Sequence, residues 1–177
     1  MASLKNYGEA LFLLAAEEGT ERTMHNDAEC LIDVLKKNPE YIKLLNTPAI
    51  KREEKLSLID TAFAELDKNL VNLVKLLSDK HLAHKITEAL SGFFECYDDA
   101  MNICHAEAIS ARALTEGEIQ RLKKKLEAET GKTVIIKNTV DNALIGGMKL
   151  RYLDREIDGT LKTRFESFKK QMKSTVI

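Results

Sequence analysis

The sequence predicts a chain of class α + α/β. An N-terminal antiparallel bundle of about six helices occupies residues 1–105, and a small C-terminal β-α-β-β-α domain occupies residues 106–177. Three observations predict this. Breakers are scarce, with two prolines and eight glycines in 177 residues, and Leu, Lys, Glu and Ala are abundant, which favours helix. Apolar residues recur at three- and four-residue steps through the first hundred positions. Beyond residue 105 the period changes to alternation over short stretches, the mark of strands.

Tyr7, Ala10, Leu11, Leu14 and Ala15 form the stripe of a first helix ending near Gly19. Met24, Ala28, Leu31, Ile32 and Leu35 form a second. Asn38 and Pro39 read as an N-cap with proline at the first helical position, opening a short third helix that Pro48 ends. Leu56, Ile59, Phe63 and Leu66 mark a fourth, and Leu70, Leu73, Val74 and Leu77 a fifth. The sixth stripe is Ile86, Leu90, Phe93, Tyr97, Met101 and Cys104. Short connections between such helices make a compact antiparallel bundle. A strand is expected over Ala106–Arg112, then a helix from Glu116 to Glu129 or Thr130, opened by the capping box of Thr115 and Glu118. Val134–Ile136 and Met148–Leu153 read as strands. A final helix from Thr160 carries Leu161, Phe165, Phe168 and Met172.

Composition excludes several functions. The hydrophobic fraction of 44% and charged fraction of 31% suit a folded globular chain. A formal net charge of −1 supplies no overall field for nucleic acid, so none is expected as a partner. No apolar run approaches the ~20 residues of a membrane helix. Residues 1–5 lack the charged and apolar regions of an export signal, so export is not expected. Cys30, Cys96 and Cys104 are odd in number and read as reduced thiols.

Motifs for catalysis fail on inspection. Gly131, Lys132 and Thr133 repeat the end of a phosphate-binding loop, but the glycine required five residues earlier is Leu126. Gly131 reads instead as the residue past a helix end. Gly146 and Gly147 lack the third glycine and following helix of a dinucleotide site, and read as close backbone packing at a strand entrance. His81, His84 and the Cys104–His105 pair lack the convergent partners a metal needs. No catalytic residue, metal ligand or cofactor is expected. Lys149, Arg151 and Arg155 with Lys162, Arg164, Lys169 and Lys170 form a cationic cluster without interleaved aromatics, which points to an acidic protein partner.

One stretch carries a family likeness. Val134, Ile136, Val140, Asp141, Leu144, Gly146, Gly147, Leu150 and Arg151, followed by Ile157, Asp158, Gly159 and Thr160, resemble the signature of the delta subunit of F-type ATP synthases, the family of the oligomycin-sensitivity-conferring protein. Tyr7, Ala10, Leu11 and Phe12 look like that family's first helix. Leu45, Pro48, Ile50 and Lys55 look like its turn into the fourth. Two positions depart: Leu153, where the family usually has Gly, Ser, Glu or Asn, and Thr160 in place of serine.

The resemblance implies a non-catalytic stator component that links the catalytic head to the peripheral stalk during rotary, proton-coupled ATP synthesis. It implies a peripheral protein at the cytoplasmic face of the cell membrane. The partners implied are the N-terminal helix of an alpha subunit and the C-terminal ends of the b subunits, the latter meeting the C-terminal domain. The alpha helix would enter a groove where Tyr7, Ala10, Leu11 and Leu14 face Leu70, Val74 and Leu77. Each of these residues suits the bundle core as well as a groove, and about half are expected to touch the partner. The alternatives are a helical-peptide-binding adaptor in another assembly, and a small enzyme using the α/β unit.

Overall fold

The computed structural model describes residues 4–153 and 155–174. The chain divides into two compact units, Met1–Ala100 and Met101–Ile177. Residues 101–105, placed with the bundle from sequence, thus belong with the sheet. The reason is local. The sixth helix stops at Ala100, and Asn102 adopts a left-handed φ of 54°, a conformation that cannot continue a helix. Cys104, which extends the helical stripe in the sequence, is therefore a buried strand residue.

The first unit contains α1 (Lys5–Glu18), α2 (Glu21–Lys37), α3 (Pro39–Asn46), α4 (Arg52–Ala62), α5 (Lys68–Asp79), a 3-10 turn (Ala83–Lys85) and α6 (Ile86–Ala100). Gly19 closes α1 in the left-handed conformation at φ 67°. Pro39 opens α3 at its first position. The Asp67 side chain caps α5 by accepting from the backbone N–H of Asn69 and Leu70. The core collects Leu11, Met24, Leu31, Leu45, Ile59, Leu70, Leu77, Leu90 and Phe93. The stripe predicted for α4 runs past the helix, since Phe63 is its buried C-cap and Leu66 lies in the following loop.

The closest packing is between α1 and α6. A Cβ on Gly8 would fall closer than 3.0 Å to the backbone of Ala89 and Phe93, and one on Gly92 equally close to the backbone of Lys5. Neither neighbour is a side chain that could swing aside. The two helices therefore touch backbone to backbone, beside an edge-on contact of Phe12 with Phe93 at 5.9 Å.

The second unit contains β1 (Ile103–Ser110), α7 (Glu116–Thr130), β2 (Thr133–Val140), β3 (Met148–Tyr152), β4 (Arg155–Asp158) and α8 (Leu161–Ser174). The sheet order is β2-β1-β3-β4. β1 and β2 are parallel, joined through α7, with Ala106 beside Ile136. β3 runs antiparallel to β1 and β4 antiparallel to β3. One face of the sheet presents Cys104, Ala106, Ala108, Val134, Leu150 and Tyr152 to Leu126 of α7, with Leu122 packed alongside. The expected capping box is formed: Thr115 accepts from the Glu118 N–H, and the Glu118 carboxylate accepts from the Thr115 N–H. Gly131 ends α7 at φ 68°.

The strands differ from expectation in their limits. β1 starts three residues earlier than predicted and ends two earlier, because Ile103 and Cys104 already pair with Thr133 and Val134. β2 starts one residue earlier and runs four further, to Val140, through the polar positions Lys137, Asn138 and Thr139, which strand periodicity does not mark. β4 is a fourth strand that its four residues, three of them exposed, did not announce. In α8, the side chains of Lys170 and Met172 lie outside the described residues.

Candidate functional site

The residues expected to line a bundle groove come from α1 and α5, which run antiparallel. Two side-chain bridges hold them. At one end the Lys80 ammonium donates to the Tyr7 hydroxyl at 2.6 Å and lies 5.1 Å from the centre of its ring. At the other, Asn69 Nδ2 donates to the Glu18 carboxylate at 3.3 Å. Between the bridges lie about 16 Å of α1, three turns of helix.

Burial sorts the seven expected residues into two sets. Leu11, Leu70, Val74 and Leu77 are buried in the bundle core. Tyr7 is half-buried beneath Lys80, Ala10 is exposed, and Leu14 is 44% exposed. Sequence reasoning passed over one α5 residue that belongs with the open set. Leu76 is 40% exposed on a helix otherwise well packed, and Leu73 is buried within the same stretch between the bridges. Leu76 was missed because it falls outside the 3-4 stripe, the signal used to find apolar positions. A lone exposed leucine is ordinary on a protein surface, and Leu76 counts here because Ala10 and Leu14 of α1 are exposed as well. Ala10, Leu13, Leu14 and Leu76 thus give the bundle an exposed apolar set on α1 and α5.

The signature residues gather at a different place, where β3 begins and α8 is launched. Asp141 closes a turn by accepting from the Ala143 N–H at 2.9 Å, while its own N–H donates to the Ser110 carbonyl. Gly147 has φ 80°, and a Cβ there would stand 2.8 Å from Thr160 Cα. A Cβ on Gly146 would stand 2.7 Å from Leu161 Cδ1. The Gly159 N–H donates to the Met148 carbonyl, and the Leu161 N–H to the Gly146 carbonyl. The two glycines therefore admit the chain that starts α8.

Asp158 completes the junction. Its carboxylate accepts from the Thr160 N–H at 2.9 Å, and Thr160 in turn caps α8. That backbone hydrogen bond is the first cause holding the Asp158 carboxyl at about 2, below its ordinary 3.8. The chemistry here is structural: the donors named above are spent within the fold. Among the described residues, no group of three or more His, Cys, Asp or Glu could hold a metal ion.

The junction aims a second apolar surface outward. Ile145 is 86% exposed, and on α8 Leu161, Phe165 and Phe168 are 49%, 78% and 62% exposed. Ile145, Leu161 and Phe165, with Lys162, Glu166 and Lys169, border an open hollow of about 500 Å³. The α8 residues were legible as a stripe. Ile145 was not, because it sits in a loop where no period applies.

Comparison with known proteins places this arrangement. Residues 4–172 match the family model described as ATP synthase delta (OSCP) subunit. The ATP synthase subunit delta of Clostridioides difficile (strain 630) is 31% identical over 172 residues, covering 96% of this chain and 95% of that protein. That of Geobacillus sp. (strain WCH70) is 32% identical over 169 residues, covering 95% of each. A chain of the Toxoplasma gondii mitochondrial ATP synthase hexamer shares the fold with a TM-score of 0.72 at 17% identity, over 97% of this chain and 98% of its own.

Proposed function

The chain belongs to the ATP synthase delta (OSCP) subunit family, and from that membership we propose that its bundle receives the N-terminal helix of an alpha subunit while its C-terminal unit holds the C-terminal ends of the b subunits. The protein is a delta subunit of F-type ATP synthase, a component of the stator. It does no chemistry itself in this reading; it keeps the catalytic head from turning with the shaft. Among the described residues no helix is long and apolar enough to cross a membrane. We place the subunit as a peripheral protein at the cytoplasmic face of the cell membrane.

The observation that carries the alpha-subunit assignment is the α1–α5 face. Two helices are tied at both ends by Tyr7–Lys80 and Glu18–Asn69, and Ala10, Leu14 and Leu76 stand open between them. A helix laid on such a face buries its own apolar anchors at three- and four-residue steps. The four buried residues of the expected seven form the floor that holds the walls in place. Titrating the full chain with a synthetic alpha-subunit N-terminal peptide tests this. Saturable binding with amide shifts along α1 and α5 is expected, and Ala10→Glu or Leu14→Glu removes it without unfolding the bundle. Normal binding by both variants would place the groove elsewhere.

A further inference from the structure

The near-neutral net charge of the chain conceals a partition. The first unit carries 12 Lys and Arg against 18 Asp and Glu, a formal −6, and the second carries 15 against 10, a formal +5. Fields of opposite sign on two units of one chain steer different partners to each.

The positive charge of the second unit is itself divided. On β3 and β4, the cations are met within the fold. Lys149 lies 3.6 Å from Asp158, Arg151 lies 2.8 Å from Glu156 and 3.8 Å from Glu107, and Arg155 lies 3.6 Å from Glu129. On α8, by contrast, Lys162, Arg164 and Lys169 form no ion pair among the described residues. Helical spacing sets Lys162 and Lys169 along one border of the Leu161–Phe165–Phe168 stripe and Arg164 along the other. An open apolar stripe edged on both sides by unspent cations is a docking face with a stated charge preference.

We propose that this face, completed by Ile145, takes an amphipathic helix whose apolar seam is bordered by Asp and Glu, and that this charge rule keeps the bundle's partner away from it. The inference rests on the reading of the C-terminal unit as stalk-facing and gives that partner its chemistry. A second copy of the chain does not fit, because two such faces would oppose cation to cation. The apolar stripe supplies affinity. The flanking charges supply choice of partner and rate of encounter, and they weaken with salt.

Two synthetic amphipathic peptides with one leucine seam, bordered in one by Glu and in the other by Lys, separate the possibilities when titrated into the full chain. The Glu-bordered peptide should bind about tenfold tighter at low ionic strength. It should shift the resonances of Ile145, Phe165 and Phe168 and lose its advantage as salt is added. The triple variant Lys162→Glu, Arg164→Glu, Lys169→Glu should reverse the preference, and Phe165→Glu should abolish binding of both peptides to this face. Equal affinity for the two peptides at low salt, or binding of the Glu-bordered peptide to the bundle instead, overturns the proposal. So does preferential capture of the chain by phosphatidylglycerol vesicles through α8. If the peptides discriminate as stated but purified b subunits do not bind, the charge rule stands and the stalk assignment falls.

Discussion

At the scale of single residues, left-handed positions decide which side chains this fold tolerates. Gly147 combines φ 80° with the backbone of Gly159 and Thr160 where a Cβ would sit. Gly147→Ala therefore meets strain and overlap together. Chemical denaturation followed by probes in the second unit should show a loss on the order of 2–3 kcal/mol. Leu153 presents the opposite case. It holds φ 49° in the turn that joins β3 to β4, where Tyr152 pairs with Arg155, and its side chain is mostly exposed. The hairpin forms despite the departure from the family pattern, with a bulky residue in a conformation costing ~1–2 kcal/mol. Leu153→Gly should raise the stability of the second unit by about 1 kcal/mol in the same assay. A destabilised variant would show that Leu153 contributes more by packing than it loses by strain.

At the scale of elements, the start of α7 is set by charge as well as by its cap. The Arg112 fork donates to Glu118 at 2.6 and 3.1 Å, and Thr115 adds two further donors. Arg112 is the first cause, Thr115 the next, holding the Glu118 carboxyl at about 2 against an ordinary 4.5. A carboxylate with a lowered folded pKa contributes stability above its unfolded pKa and loses it as pH falls through the folded one. The first turn of α7 should thus loosen between about pH 4.5 and pH 2. Carbon-detected titration of Glu118 should give a midpoint near 2, and Arg112→Ala should move it up. Capping signals of this kind are local, which is why α7, Pro39 in α3 and the Gly19 and Gly131 stops were readable in the sequence. The limits of β1 and β2 were not, since pairing between Ile103 and Thr133 is decided by a neighbour thirty residues away. Gly8 and Gly92 were equally silent: a glycine inside a helix reports neither its partner nor how closely that partner comes. On α1 and α5, periodicity found the buried positions Leu11, Leu70, Val74 and Leu77 and passed over the exposed Leu76.

At the scale of the whole molecule, the candidate surfaces are carried by different units, so they should fail separately. Leu14→Glu should remove binding of the alpha-subunit peptide and leave b-subunit binding intact, and Phe165→Glu should do the reverse. Calorimetry on the double variant should show no interaction energy beyond the sum, as expected of sites without shared partners. Loss of both interactions in either single variant would mean that the surfaces are coupled. A subunit that holds one machine part still against another also has to resist being pulled, and here the contact between Gly8 and Gly92 acquires a mechanical meaning. Helices that meet through long side chains yield under tension as rotamers slip. Helices that meet main chain to main chain have no such give. Because α1 bears Ala10 and Leu14 and is seated in this way on α6, torque arriving at the groove would pass into the bundle with little compliance. The smallest residue would then be the stiffest joint in the stator.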